Sequence, residues 1–124
     1  MLVLSSILVG LVALEHLYIV YMEMFAWTTP RVQRVFGTTA SFAQDSKALA
    51  ANQGLYNGFL AAGLVWGIIH PEPRIGIQVQ IFFLLCVLIA ACYGGLTVKR
   101  SILVVQGAPA LIALLAVLVN IFAV

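Results

Sequence analysis

The chain has 124 residues, of which 64% are hydrophobic and only 8% charged. A soluble domain is about half apolar and about a quarter charged, so this composition speaks against a soluble globular fold and for a membrane protein. The net charge of +2, with no basic run interleaved with aromatics and no glycine-rich phosphate loop, argues against nucleic-acid and nucleotide binding.

Four apolar stretches meet the roughly 20-residue length of a helical span: 2–25, 48–69, 75–96 and 102–122. They predict an all-α, integral membrane four-helix bundle forming one domain over 1–124. Met1 leads directly into apolar residues without a basic region or a small-residue cleavage site, so the first stretch reads as a retained span. Short connections at 70–74 and 97–101 make sequential spans antiparallel. Connections 26–47 and 97–101 carry Arg31, Arg34, Lys47, Lys99 and Arg100, against Arg74 alone on the other side. The excess of basic residues places those connections in the cytoplasm and both termini outside.

The first span holds the least expected residues. Glu15 and His16 stand near its middle, about 15 Å from its cytoplasmic end at 1.5 Å per residue, and Glu23 follows seven residues after His16. Ionisable groups in a span are costly, and a functional role is the default expectation. His16, Val20, Glu23 and Trp27 fall on one helical stripe. Glu15 is rotated by about 100°, onto a stripe with Tyr18 and Met22. An adjacent acid and imidazole titrate jointly.

In the first connection, Thr29-Pro30 supplies a cap and a first-turn proline, and Val32, Val35 and Phe36 recur at helical spacing before Gly37. This predicts a short amphipathic helix over 30–36 on the membrane surface, with Trp27 in the aromatic belt. Ser41-x-x-Gln44 resembles a capping box at the start of the next helix.

The second span opens Asn52-Gln53-Gly54-Leu55-Tyr56-Asn57-Gly58. Gly54/Gly58 and Gly63/Gly67 are small-xxx-small pairs that let helices approach closely. Asn52 and Tyr56 share one face, and Gln53 and Asn57 the adjacent one. In the third span Tyr93 precedes Gly94-Gly95. Cys86 and Cys92 lie on different faces and read as buried apolar thiols. The fourth span starts Gln106-Gly107-Ala108-Pro109, where the proline frees a carbonyl. Asn120 reads as interfacial.

The polar residues inside the spans gather toward the cytoplasmic half, leaving the outer half almost pure Leu, Val, Ile and Ala. This predicts a polar cavity sealed outside and lined by Glu15, His16, Glu23, Trp27, Asn52, Gln53, Tyr56, Asn57, Tyr93 and Gln106. No His-x-x-x-His or Glu-x-x-His pair exists, so no metal site and no cofactor is expected. Three functions fit. The first is binding and transport of a small hydrophobic or cationic ligand by a homodimer, with Glu15 and His16 as the protonatable pair. The second is an intramembrane enzyme acting on a lipid or isoprenoid, with His16 or Glu15 as general acid/base and Glu23 in support. The third is a structural partner subunit. Membrane lipids are expected partners in each.

The chain resembles a bacterial family of small four-span membrane proteins known as domain of unknown function thirteen-zero-four. The matching stretches are Glu15-His16 through Glu23 and Trp27, Asn52 through Gly58, Tyr93-Gly94, and Gln106 through Ala110. The resemblance implies the four-span fold and an inner-membrane home, and no activity. The layout is also loosely similar to the small multidrug resistance transporters, whose essential acid stands midway along the first span, as Glu15 does here; spans two to four match none of that family's motifs. The mixture Glu15, His16, Glu23, Asn57 and Trp27 resembles in composition the cavities of sterol-isomerase-type membrane enzymes.

Overall fold

The computed structural model describes residues 2–124. Among them every regular element is helical: α1 (Leu2–Phe25), α2 (Pro30–Phe36), α3 (Ala40–Asp45), α4 (Lys47–Ile69), α5 (Pro73–Thr97) and α6 (Arg100–Ala123). Two turns are wide. Tyr21–Phe25 closes α1 as a π-turn, with the Ala26 N–H bonded to the Tyr21 carbonyl five residues back at 3.1 Å. Leu103–Gly107 forms a second π-turn inside α6. Pro109, just beyond it, has no N–H to offer residue 105, and its ring crowds that carbonyl; a widened turn relieves both effects.

α1, α5 and α6 are long and apolar enough to cross a membrane. α4 has 23 residues but carries Lys47, Asn52, Gln53 and Asn57 in its first half. Of the four expected spans, three are thus long and apolar enough among the described residues. Large apolar side chains stand exposed along these helices, among them Leu14, Ile89 and Leu96. On a water-soluble protein such a surface would aggregate; lipid covers it without penalty.

The chain divides into two compact units, one of residues 2–14 with 60–124, the other of residues 15–59. In the first, Val9, Val12, Leu64, Leu84, Val87, Ala113 and Val117 form the core. α4 and α5 run antiparallel there and touch closely at glycines. A Cβ on Gly67 would lie 3.0 Å from the Gly76 carbonyl oxygen, and one on Gly63 would lie 2.3 Å from the Phe83 ring. Gln80, buried, donates its amide to the Gly67 carbonyl at 3.0 Å. α5 and α6 meet at the next hairpin, where Gly95 faces Leu103. Asn120 is buried rather than interfacial, and donates to the Ser5 hydroxyl at 2.7 Å. Ser5 in turn donates its hydroxyl to the Leu2 carbonyl at 3.0 Å. The half expected to be almost purely apolar thus contains Ser5, Asn120 and Gln80 as buried polar groups, with Asn120 and Gln80 each donating to a neighbouring helix. Cys92 is exposed and Cys86 half-buried, where both were expected to be buried.

In the second unit, α2 matches the expected 30–36. Thr29 caps it by accepting from the Val32 N–H at 3.4 Å, Pro30 fills its first turn, and Gly37 ends it in the left-handed region at φ 69°. Val32 points inward to Ile19, Met22 and Ala26, with Phe36 and Trp27 packed around them. α2 is therefore seated on the end of α1. α3 begins at Thr39, which accepts from the Phe42 N–H at 3.1 Å; the Ser41-x-x-Gln44 pattern is passed over. Ser46 interrupts the helix before α4 and accepts the Trp27 indole N–H at 3.0 Å.

Candidate functional site

The second unit assembles most of the polar side chains singled out by sequence. His16 and Glu23 are both buried, at 1% and 4% exposure. Their seven-residue spacing on α1 turns them inward together. Glu23 sits in the middle of the π-turn Tyr21–Phe25. Wide turns are rare in helices and recur at functional sites, since the extra residue re-aims a side chain.

The partner of Glu23 comes from α4. Asn57 Nδ2 donates to Glu23 Oε1 at 2.6 Å and also lies 3.2 Å from the Gln53 carbonyl. Gly54 makes this possible. A Cβ there would lie 2.6 Å from Met24 Cγ and 3.0 Å from Glu23 Cβ, so only a bare α-carbon lets the two backbones come within reach of this bond. Gly58, one turn on, faces Val20. The spacing Gly54-x-x-Asn57-Gly58 is thus a packing surface with one amide aimed into it.

Glu15 stands apart. It is half-buried, and its Oε1 is shielded from solvent without a hydrogen-bond donor among the described residues. The rotation of about 100° expected from the helix separates it from His16. On its stripe Met22 is buried while Tyr18 is exposed. Trp27 lies at the edge of the unit, its ring 4.9 Å from that of Phe36 in an edge-on contact and its N–H committed to Ser46. Asn52, Gln53 and Tyr56 are exposed, with Tyr56 packed edge-on against Phe59 at 5.7 Å. Tyr93 and Gln106 belong to the other unit; Tyr93 is exposed, and Gln106 is half-buried within the π-turn Leu103–Gly107.

The arrangement can hold and exchange a proton at a carboxyl whose partner is an amide. Asn57 suits this because its side chain can offer N–H to a carboxylate or C=O to a carboxylic acid after rotation.

Comparison with known proteins decides kinship at this point. A family model described as "Protein of unknown function (DUF1304)" matches residues 10–118. The chain belongs to this family. It is 35% identical over 117 residues to "Uncharacterized protein YpaA" of Lactococcus lactis subsp. lactis (strain IL1403), covering 93% of this chain and 97% of that protein. No solved structure matches. The DUF1304 match runs from before Glu15 to beyond Gln106, so every polar residue of the candidate site lies within it.

Sequence reading missed the π-turn around Glu23, for which the residues Tyr21–Phe25 carry no proline or glycine signal. The other wide turn had a signal in Pro109, read only as freeing a carbonyl.

Proposed function

We propose that this DUF1304 protein spans the bacterial inner membrane four times, with α4 crossing as well as α1, α5 and α6, and binds a small hydrophobic or cationic molecule in a proton-dependent manner at His16, Glu23 and Asn57. The observation that carries the reading is the Glu23–Asn57 hydrogen bond at 2.6 Å, with Glu23 buried in a helix of span length. A carboxyl there is expensive to retain for packing alone, since an amide or hydroxyl would join the helices more cheaply. A protonatable carboxyl beside an adaptable amide can release a proton as a cation arrives and recover it afterwards. Glu15, with a shielded and undonated oxygen, is the other acid of α1. The polar first half of α4 crosses the bilayer because its Asn57 is paired with Glu23 and its glycines lie against α1. Connections 26–47 and 97–101 are cytoplasmic by the charge rule.

The test is proton flux in proteoliposomes. Purified protein is reconstituted with a pH-sensitive dye inside and challenged with tetraphenylphosphonium outside. Wild type moves protons in response. Glu23→Gln and His16→Ala abolish the response, and Gly10→Ala, at a position with open space around it, leaves it intact. If Glu23→Gln responds as wild type does, the reading is wrong. A cellular lipid profile altered by His16→Ala, with no flux in wild type, would instead favour acid–base catalysis on a lipid.

A further inference from the structure

A separate feature lies on the outer face of the second unit. Arg31 Nη2 donates a hydrogen bond to the Tyr18 hydroxyl, and its guanidinium carbon lies 5.6 Å from the Tyr18 ring centroid. Tyr18 in turn stacks on Tyr21, with centroids 6.4 Å apart and planes at 18°. Arg31, Tyr18, Tyr21 and Phe25 are all exposed. The inward side of α2 is taken by Val32, so Arg31 and Arg34 are turned outward together.

A guanidinium has five N–H donors, and the Tyr18 oxygen takes one. No carboxylate pairs with Arg31 among the described residues. Tyr18 lies seven residues before the end of α1, about 10 Å along its axis, and Arg31 reaches back to it from α2 beyond that end, so the guanidinium sits between these two levels, a stretch that includes the boundary of headgroups and acyl chains if α1 spans. A cation fixed at that depth, flanked by aromatic rings and apolar side chains, requires an anion that is itself part of the membrane. The planar fork matches a phosphate diester, which accepts two parallel N–H bonds.

We infer that Arg31, held in place by Tyr18, forms a binding site for the phosphate of an anionic phospholipid. The inference uses the membrane location of α1 and is independent of the proton-coupled site at Glu23. Tyr18 acts as a positioning residue: it keeps the fork at headgroup depth, and Arg34 on the same face adds charge without geometry.

Thermal unfolding of the full-length protein in dodecyl maltoside tests this, with phosphatidylglycerol, phosphatidylcholine or inorganic phosphate added. Phosphatidylglycerol should raise the midpoint of wild type, and the other two additives should not. Arg31→Gln should weaken the apparent affinity about tenfold, the size of a lost charge-assisted pair. Tyr18→Phe, which keeps the charge and the ring, should weaken it in the same direction, while Arg34→Gln should preserve the preference. Should Arg31→Gln fail to fold, Tyr18→Phe alone decides. Retention of the full wild-type preference by Arg31→Gln or Tyr18→Phe overturns the inference. An equal rise with inorganic phosphate does so too, because the ligand would then be a soluble anion. So does an Arg31→Gln effect on dimer formation that is independent of lipid.

Discussion

Asn57 and Glu23 lie 34 positions apart in sequence and 2.6 Å apart in space, joining α4 to α1 through an amide and a carboxyl. Asn57→Ala removes the donor and leaves the carboxyl buried alone. We expect a loss of about 1–2 kcal/mol in stability, from an unpaired buried polar group offset by the weakness of hydrogen bonds inside membranes. Replacing both residues by Leu should cost less than the sum of the single changes. A double-mutant cycle from reversible unfolding in mixed micelles measures the difference; strict additivity would show that the bond contributes nothing.

Gly54 and Gly10 offer a matched pair of glycine tests. A methyl at Gly54 collides with Met24 and Glu23, whereas at Gly10 it meets nothing within 4 Å. Gly54→Ala is expected to destabilise by about 1–3 kcal/mol through overpacking and to weaken the Glu23–Asn57 bond. Gly10→Ala should be neutral or stabilising by up to about 1 kcal/mol, because alanine gives up less backbone freedom in a helix. Midpoints of the two variants, measured side by side, should move in opposite directions.

Gly63 and Gly67 look equivalent as a small-residue repeat, but their surroundings differ. The added carbon at Gly63 meets the Phe83 ring, which can swing aside; at Gly67 it meets the backbone of Gly76 and Gln80, which cannot. Gly67→Ala should therefore be the more damaging, and Phe83→Leu should rescue Gly63→Ala. Expression level and thermal midpoint report both, and no rescue would mean that the ring is not the obstacle.

Ser5→Ala removes the acceptor of Asn120 and leaves its amide buried between helix ends. A loss of about 1–2 kcal/mol is expected. Converting Asn120 to Leu in the same chain should recover most of it, since an apolar pair has nothing to satisfy. A double variant less stable than Ser5→Ala would show that Asn120 has another essential partner.

Local chemistry was the most legible part of the sequence. Thr29, Pro30 and Gly37 mark both ends of α2 within a few residues of chain, and the helix lies where they put it. The inward stripe of His16 and Glu23 followed from periodicity alone. Features that depend on a distant neighbour were harder to read. Asn120 resembles a polar residue reaching for headgroups until Ser5, 115 positions away, is found beside it. The glycine repeat in α4 announces close packing, but only the structure assigns Gly54 to Glu23 and Gly63 to Phe83. Thr39 took the cap in place of Ser41 because two competing capping signals lie within two residues of each other, and sequence does not rank them. The wide turn at Tyr21–Phe25 escaped notice because periodicity arguments assume a uniform 3.6 residues per turn.

That wide turn also bears on how the chain can lengthen and shorten. Each π-turn holds one residue more than a regular helix needs to join its flanking segments at nearly the same rotation. Leu103–Gly107, with helix on both sides, is consequently the place where α6 can lose a residue and keep both flanks in register. A one-codon deletion at Val104 would leave Ala108–Val119 facing α5 as before, while the same deletion in the uniform stretch of α5 would turn every later side chain to a new face. At Tyr21–Phe25, where α1 ends, the same deletion has no following helix to keep in register and would instead shift the connection to α2.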